Sequence, residues 1–197
     1  MSERQTGTFY YVLDEPMELL FVDDDPILRE FALVQLATDM ATVRLAEDGC
    51  AALNMIRGHP PSLVILDIEM PQMDGFQVLA ALRADPATAD LPVIVCTGRE
   101  DVLAIDRAFQ AGASSFVVKP INWRLLTHQI RYVFRSQRSD RLAHSAMREL
   151  AAASEPLLLA AAKGAADLRP QAAAFAQTLE RLTRRPQTPT AIQAQGG

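Results

Sequence analysis

Short unbroken apolar runs alternate with segments of helical period through the first two-thirds of the chain. Met17 to Val22 is the first such run, and it ends in three acids, Asp23, Asp24 and Asp25. Asp25-Pro26 then reads as a helix cap followed by Pro at the first helical position. Ile27, Phe31, Val34 and Leu36 stand at helical spacing and predict a helix to about Ala37. Thr42 to Ala46 is a short strand. Gly49 to Arg57 reads as a helix with Ala52, Leu53 and Ile56 inside, stopped by Gly58-His59-Pro60-Pro61. Ser62 to Asp67 is apolar enough for a strand buried on both faces of a parallel sheet. From Asp74 a helix places Phe76, Val78, Leu79 and Leu82 inside and ends at Asp85-Pro86. Leu91 to Thr97 is a fourth strand, residues 101–111 a helix with Val102, Ile105 and Phe109 inward, and Ser114 to Val118 a fifth strand. Asn122 caps a last helix carrying Leu125, Leu126, Ile130, Val133 and Phe134. Strands alternating with helices through five repeats predict an α/β fold: a doubly wound five-stranded parallel sheet followed by an α-helical extension.

The last helix is not expected to stop at Arg135, since Arg124 to Ala153 holds no Gly or Pro and is rich in helix formers. Glu155-Pro156 marks a break, and Phe175, Leu179 and Leu182 predict a further short amphipathic helix after Arg169-Pro170. Neither helix can bury its apolar face alone, so the favoured reading is a helical hairpin that forms a homodimer. The expected organisation is an N-terminal arm over 1–16, the α/β domain over 17–136, the helical extension over 137–185 and a disordered Pro- and Gln-rich tail over 186–197.

Composition adds an asymmetry. Residues 1–121 hold 8 Lys/Arg against 19 Asp/Glu (net −11), whereas residues 122–197 hold 11 against 5 (net +6), so the two parts are expected to do different jobs. No run of 18 or more apolar residues is present, and the first residues lack an apolar signal core. Cys50 and Cys96 have no metal spacing and suggest no disulfide framework. A cytoplasmic protein without membrane contact is expected.

Asp23, Asp24, Asp67, Thr97 and Lys119 all fall at or just beyond the carboxyl ends of predicted strands, where open α/β sheets place their chemistry. Three carboxylates packed together repel unless a cation neutralises them. Oxygen-only ligands of this kind suit Mg²⁺, which takes few protein ligands and a phosphate. A carboxylate so held can act as a nucleophile and form an aspartyl phosphate. Thr97 and Lys119 would bind the phosphoryl oxygens, the one through its hydroxyl and the other as a point charge. Asp25 is assigned only to the helix cap.

At these residues the stretch from about 17 to 136 resembles the receiver domain of two-component response regulators. The match runs through Val22-Asp23-Asp24, Asp67 with Met70-Pro71 and Asp74-Gly75, Thr97-Gly98 and Lys119-Pro120. The resemblance implies the flavodoxin-like strand order 2-1-3-4-5, phosphorylation of Asp67 by a histidine kinase or phosphotransfer protein, and a required Mg²⁺. It implies Asp24, Asp67 and the backbone carbonyl of Glu69 as metal ligands, with Asp23 helping through water. Thr97 and Phe116 match the family's switch pair, the hydroxyl turning to the phosphate while the ring moves inward. The only catalysis implied is the domain's own phosphorylation and dephosphorylation.

Glu69 and Arg99 are expected at the mouth of the site, pairing across it and obstructing the hydrolytic water. Haloacid-dehalogenase-like phosphatases share the residue types, but Pro26 stands where their Asp-x-Asp element continues, and no acid follows Lys119 until Asp140. No cyclase signature, helix-turn-helix or nucleotide-binding glycine loop follows the domain, so the output is expected to run through an unidentified protein partner. Arg131, Arg135 and Arg138 share a helix face, which makes RNA binding of an antiterminator-like kind the runner-up. With few aromatics for base stacking, a solvated or ion-paired basic face is favoured over nucleic acid.

Overall fold

A computed structural model of the chain describes residues 13–98, 102–163 and 167–183. Five strands, β1 (Met17–Val22), β2 (Ala41–Ala46), β3 (Leu63–Asp67), β4 (Val93–Thr97) and β5 (Ser115–Val118), alternate with α1 (Pro26–Leu36), α2 (Gly49–Gly58), α3 (Gly75–Ala84) and α4 (Val102–Gln110). Two further helices follow, α5 (Trp123–Ala162) and α6 (Arg169–Thr183). All strand pairs are parallel, as the alternation of strands and helices predicts, and the sheet order is β2-β1-β3-β4-β5, as the family resemblance implies.

The alternation of side chains along each strand divides the interior in two. Leu20, Val22, Val64, Leu66, Val93 and Val95 point to one side and pack with α2, α3 and Ala108 of α4. Leu19, Phe21, Leu63, Ile65, Ile94 and Cys96 point to the other and meet Ala32 and Leu36 of α1 and Leu126, Ile130 and Val133 of α5. Strands covered on both faces explain the continuous apolar runs.

Helix faces depart from expectation in three places. Of the four apolar positions that identify α1, only Leu36 is buried; Ile27, Phe31 and Val34 face solvent. The helix packs instead through Leu28, Ala32 and Leu36. Both sets have helical spacing, so periodicity alone cannot choose between them. Among the described side chains of α4, Ala108 is buried, Ile105 half-buried and Phe109 exposed, while Leu125 of α5 is exposed beside the buried Leu126. Pro156 does not end α5, which runs through it to Ala162. The missing N–H and ring clash of an interior Pro cost about 3 kcal/mol, but Ala151 to Ala153 and Leu157 to Ala162 on either side are strong helix formers.

The chain divides into two compact units, residues 1–137 and 138–197. In the first, Asp14 and Glu15 pair with Arg131 (3.6 Å) and Arg135 of α5, and Leu13 is buried. The rest of the expected arm and the expected disordered tail lie outside the described residues. In the second, Glu149 of α5 pairs with Arg181 of α6. Cys50 is exposed in the first turn of α2 and Cys96 is buried in β4. Among the described residues no helix is long and apolar enough to cross a membrane.

Candidate functional site

The parallel register fixes which residues meet at the carboxyl rim. Val22 stands beside Leu66, Asp67 beside Cys96 and Thr97 beside Val118. Asp23 and Asp24 therefore follow β1 on one side of Asp67, and Thr97 and Lys119 close the other. Asp23, Asp67 and Thr97 are buried, and Asp24 is exposed at the mouth. One carboxylate oxygen from each of Asp23, Asp24 and Asp67 lies within 4.8 Å of the other two.

The Lys119 ammonium bridges the two buried acids, 2.8 Å from Asp23 Oδ2 and 2.8 Å from Asp67 Oδ2. Its backbone N–H donates to Thr97 O (2.9 Å), tying the end of β5 to β4. Burial raises the Asp67 pKa above its ordinary value, against the opposing pull of Lys119; the neighbouring Asp23 charge adds to the rise. Burial would lower the Lys119 pKa, but the hydrogen bonds and charges of Asp23 and Asp67 outweigh it and push it up to about 12. Burial and the nearby Asp67 charge also push the Cys96 thiol up, so it stays protonated.

The backbone around the acids is held by its own side chains. Asp25 caps α1 by accepting from Ile27 N (2.8 Å), and Asp23 Oδ1 accepts from Asp25 N (3.0 Å). Asp74 and Gln77 form a reciprocal capping box that starts α3. Gly75 N donates to Ile68 O (3.1 Å), and a Cβ at Gly75 would stand 2.2 Å from Asp67 O. Only glycine permits so close an approach of α3 to the end of β3.

The donor set fits a hard divalent cation. Its atoms are carboxylate oxygens alone, and the Lys119 ammonium that faces them is shared between Asp23 Oδ2 and Asp67 Oδ2. Glu69 follows on the turn after β3, and its N–H donates to Asp67 Oδ1 (3.3 Å). Phe116 is half-buried in β5, its ring edge-to-face with Phe109 at 5.8 Å. Arg99 lies outside the described residues, and with it the expected pair across the mouth.

Residues 19–131 match the profile of the response regulator receiver domain. The chain belongs to the response regulator receiver family. The receiver is 35% identical over 125 residues to response regulator MprA of Mycobacterium sp. (strain KMS), covering 64% of this chain and 54% of that protein. It is 36% identical over 120 residues to the transcriptional regulatory protein AfsQ1 of Streptomyces coelicolor, covering 59% and 51%. The chain thus spans about half the length of these relatives. A solved response regulator from Chloroflexus aurantiacus superposes with a TM-score of 0.58 at 30% identity, over 61% of this chain and 99% of that one. The chemotaxis response regulator CheY4 of Vibrio cholerae gives a TM-score of 0.57 at 26% identity, over 60% and 98%.

One residue of the receiver site escapes the sequence reading. Arg29, in the first turn of α1, donates from Nη1 to the carbonyls of Asp23 (2.7 Å) and Asp24 (3.0 Å) and braces the acidic loop. Its signal was its placement, because a cation is disfavoured at a helix N-terminus unless a local acceptor holds it.

Proposed function

We propose that this receiver accepts a phosphoryl group on Asp67 from a phosphohistidine of a kinase or phosphotransfer protein in the cytoplasm. The reading rests chiefly on a buried carboxylate held between a second buried acid and an ammonium at the end of β3. An oxygen of ionised Asp67 attacks the phosphorus, the P–N bond to the donor histidine breaks, and the imidazole leaves with that electron pair. Asp23, Asp24 and Asp67, with the Glu69 carbonyl, would hold a Mg²⁺, which supplies charge neutralisation for the phosphoryl oxygens. Lys119 moves from Asp67 Oδ2 to a phosphoryl oxygen and keeps its contact with Asp23. The Thr97 hydroxyl turns toward the new acyl phosphate, and Phe116 leaves its edge contact with Phe109 for the space behind it. The new contacts bias a two-state equilibrium, and the signal passes to a protein partner or to self-association rather than to a catalytic output.

Acetyl phosphate with Mg²⁺ should add one phosphoryl group to the chain by intact mass. EDTA or Asp67→Asn should abolish the gain. Phosphoryl uptake that survives Asp67→Asn would overturn the assignment.

A further inference from the structure

The second compact unit has helices but no interior. Among its described residues none is buried, although α5 carries Leu, Ala and Met, and α6 Leu, Ala and Phe, at regular steps. Six residues connect the two helices and Arg181 pairs with Glu149, so α6 returns antiparallel to α5. On each helix a set of half-buried positions recurs at steps of three and four. They are Ala146, Leu150, Ala153, Leu157 and Ala160 on α5, and Gln171, Phe175, Thr178 and Leu182 on α6 with Leu168 just before it, the pattern of two helices packed side by side through a mixed apolar and polar seam.

One residue further round each helix runs a second line with the same steps. Met147, Ala151, Ser154 and Leu158 form it on α5, and Ala172, Ala176, Leu179 and Thr183 on α6. Because the helices are antiparallel, both lines fall on the same side of the hairpin. Met147, Leu158 and Leu179 are 68%, 65% and 43% exposed there. No charge stands within either line: Arg141, Arg148, Glu155, Lys163 and Glu180 lie elsewhere on the helices, and Arg169, three residues before Ala172, bounds the α6 line. The two hydroxyls are turned back onto their own helices, Ser154 Oγ to Ala151 O (2.8 Å) and Thr183 Oγ1 to Leu179 O (2.9 Å). The α5 line turns polar only at His144 and Asp140, beyond the level of Thr183.

We propose that this face pairs with the same face of a second copy of the chain, completing a four-helix bundle. The proposal deepens the self-association reading above and rests on it. Self-complementarity argues for a second copy. With Glu149 level with Arg181, residues 147, 151, 154 and 158 stand level with 183, 179, 176 and 172. A two-fold axis along the bundle lays each α5 over the second copy's α6 at those levels. Met147 then meets Thr183, Ala151 meets Leu179, Ser154 meets Ala176 and Leu158 meets Ala172, a larger residue against a smaller one at each level. An uncharged face meets its own image without repulsion, whereas an acidic partner or RNA would seek the basic faces. From Met147 to Leu158 the line is only about 17 Å long, less than a standard interface requires. The dimer is therefore concentration-dependent, with a Kd of about micromolar order.

Sedimentation velocity of the full chain over about 1–100 μM tests this. The parent should pass from monomer to dimer. Leu158→Glu, which enters the bundle twice, should raise the dimer Kd by at least about tenfold. Phe31→Glu on α1 should leave it unchanged. In a Cys50→Ser background, chains carrying Ser154→Cys mixed with chains carrying Ala176→Cys should oxidise to a cross-linked pair that neither forms alone. This arm stands even if Leu158→Glu disturbs the helices. A parent that stays monomeric overturns the proposal, as does a dimer indifferent to Leu158→Glu that gives no mixed cross-link. Leu158→Glu should still accept one phosphoryl group, so loss of uptake in parent and variant alike, with the dimer intact, would overturn the phosphoacceptor assignment and leave the bundle standing.

Discussion

Asp67 occupies a position that its own charge makes costly. Burial raises its folded pKa above the unfolded value near 3.8, so the ionised form opposes folding. The contribution of the protonated form is complete below the unfolded value and is lost as pH rises through the folded one. In EDTA, Asp67→Asn should melt above the parent at pH 7, and the gap should close as pH falls through the raised pKa toward the ordinary carboxylate range. A variant that melts below the parent at neutral pH would show that pairing with Lys119 outweighs burial. The acids, Thr97 and Lys119 were legible in the sequence because each ends an apolar run, and strand ends converge in a parallel sheet. Arg29 was not, because its acceptors are backbone carbonyls that side-chain chemistry does not advertise. The need for glycine at 75 is specific to the close approach of α3 to the carbonyl of Asp67, a tertiary contact that no local pattern encodes.

At the scale of the elements, existence was easier to read than orientation. Every strand and all of α1 to α4 follow from runs and spacings, yet α1 carries two apolar stripes, and tertiary packing takes the one through Ala32. The stripe left outside, Ile27, Phe31 and Val34, begins two residues after the cap of the acidic loop. The phosphohistidine donor proposed above would approach this rim, beside which the stripe lies exposed. Ile27→Ser with Phe31→Ser should slow phosphotransfer from the donor protein by about tenfold, while loading from acetyl phosphate stays unchanged. Stability should shift by no more than about 0.5 kcal/mol, as for other exposed positions. Equal losses with both donors would place the effect in the site rather than in docking. Pro156 misled for a related reason: local propensity on both sides of a breaker decides whether the helix continues.

For the whole molecule, the charge asymmetry along the sequence divides an acidic part from a basic one, and the fold separates into two compact units. Charge alone does not say where the basic residues are spent. Arg131 and Arg135 face Asp14 and Glu15 of the same chain, acids that RNA would have to displace. Filter binding of single-stranded RNA at about 0.15 M salt should therefore retain no more of the parent than of Arg131→Ala. Retention that drops on that substitution would bring the RNA reading back. The proposed self-association was legible in helices too sparse to fold alone, but its proposed face emerges only where the half-buried line of each helix separates the hairpin seam from the line beside it.

The two thiols differ in their access to solvent. Cys96 is enclosed in β4 and held protonated, while Cys50 is open to solvent on α2. The unmodified sequence therefore already offers an exposed address for a maleimide dye or spin label, on the surface of the receiver domain. In the proposed dimer, distances between labelled protomers can be followed without first engineering a cysteine into either region.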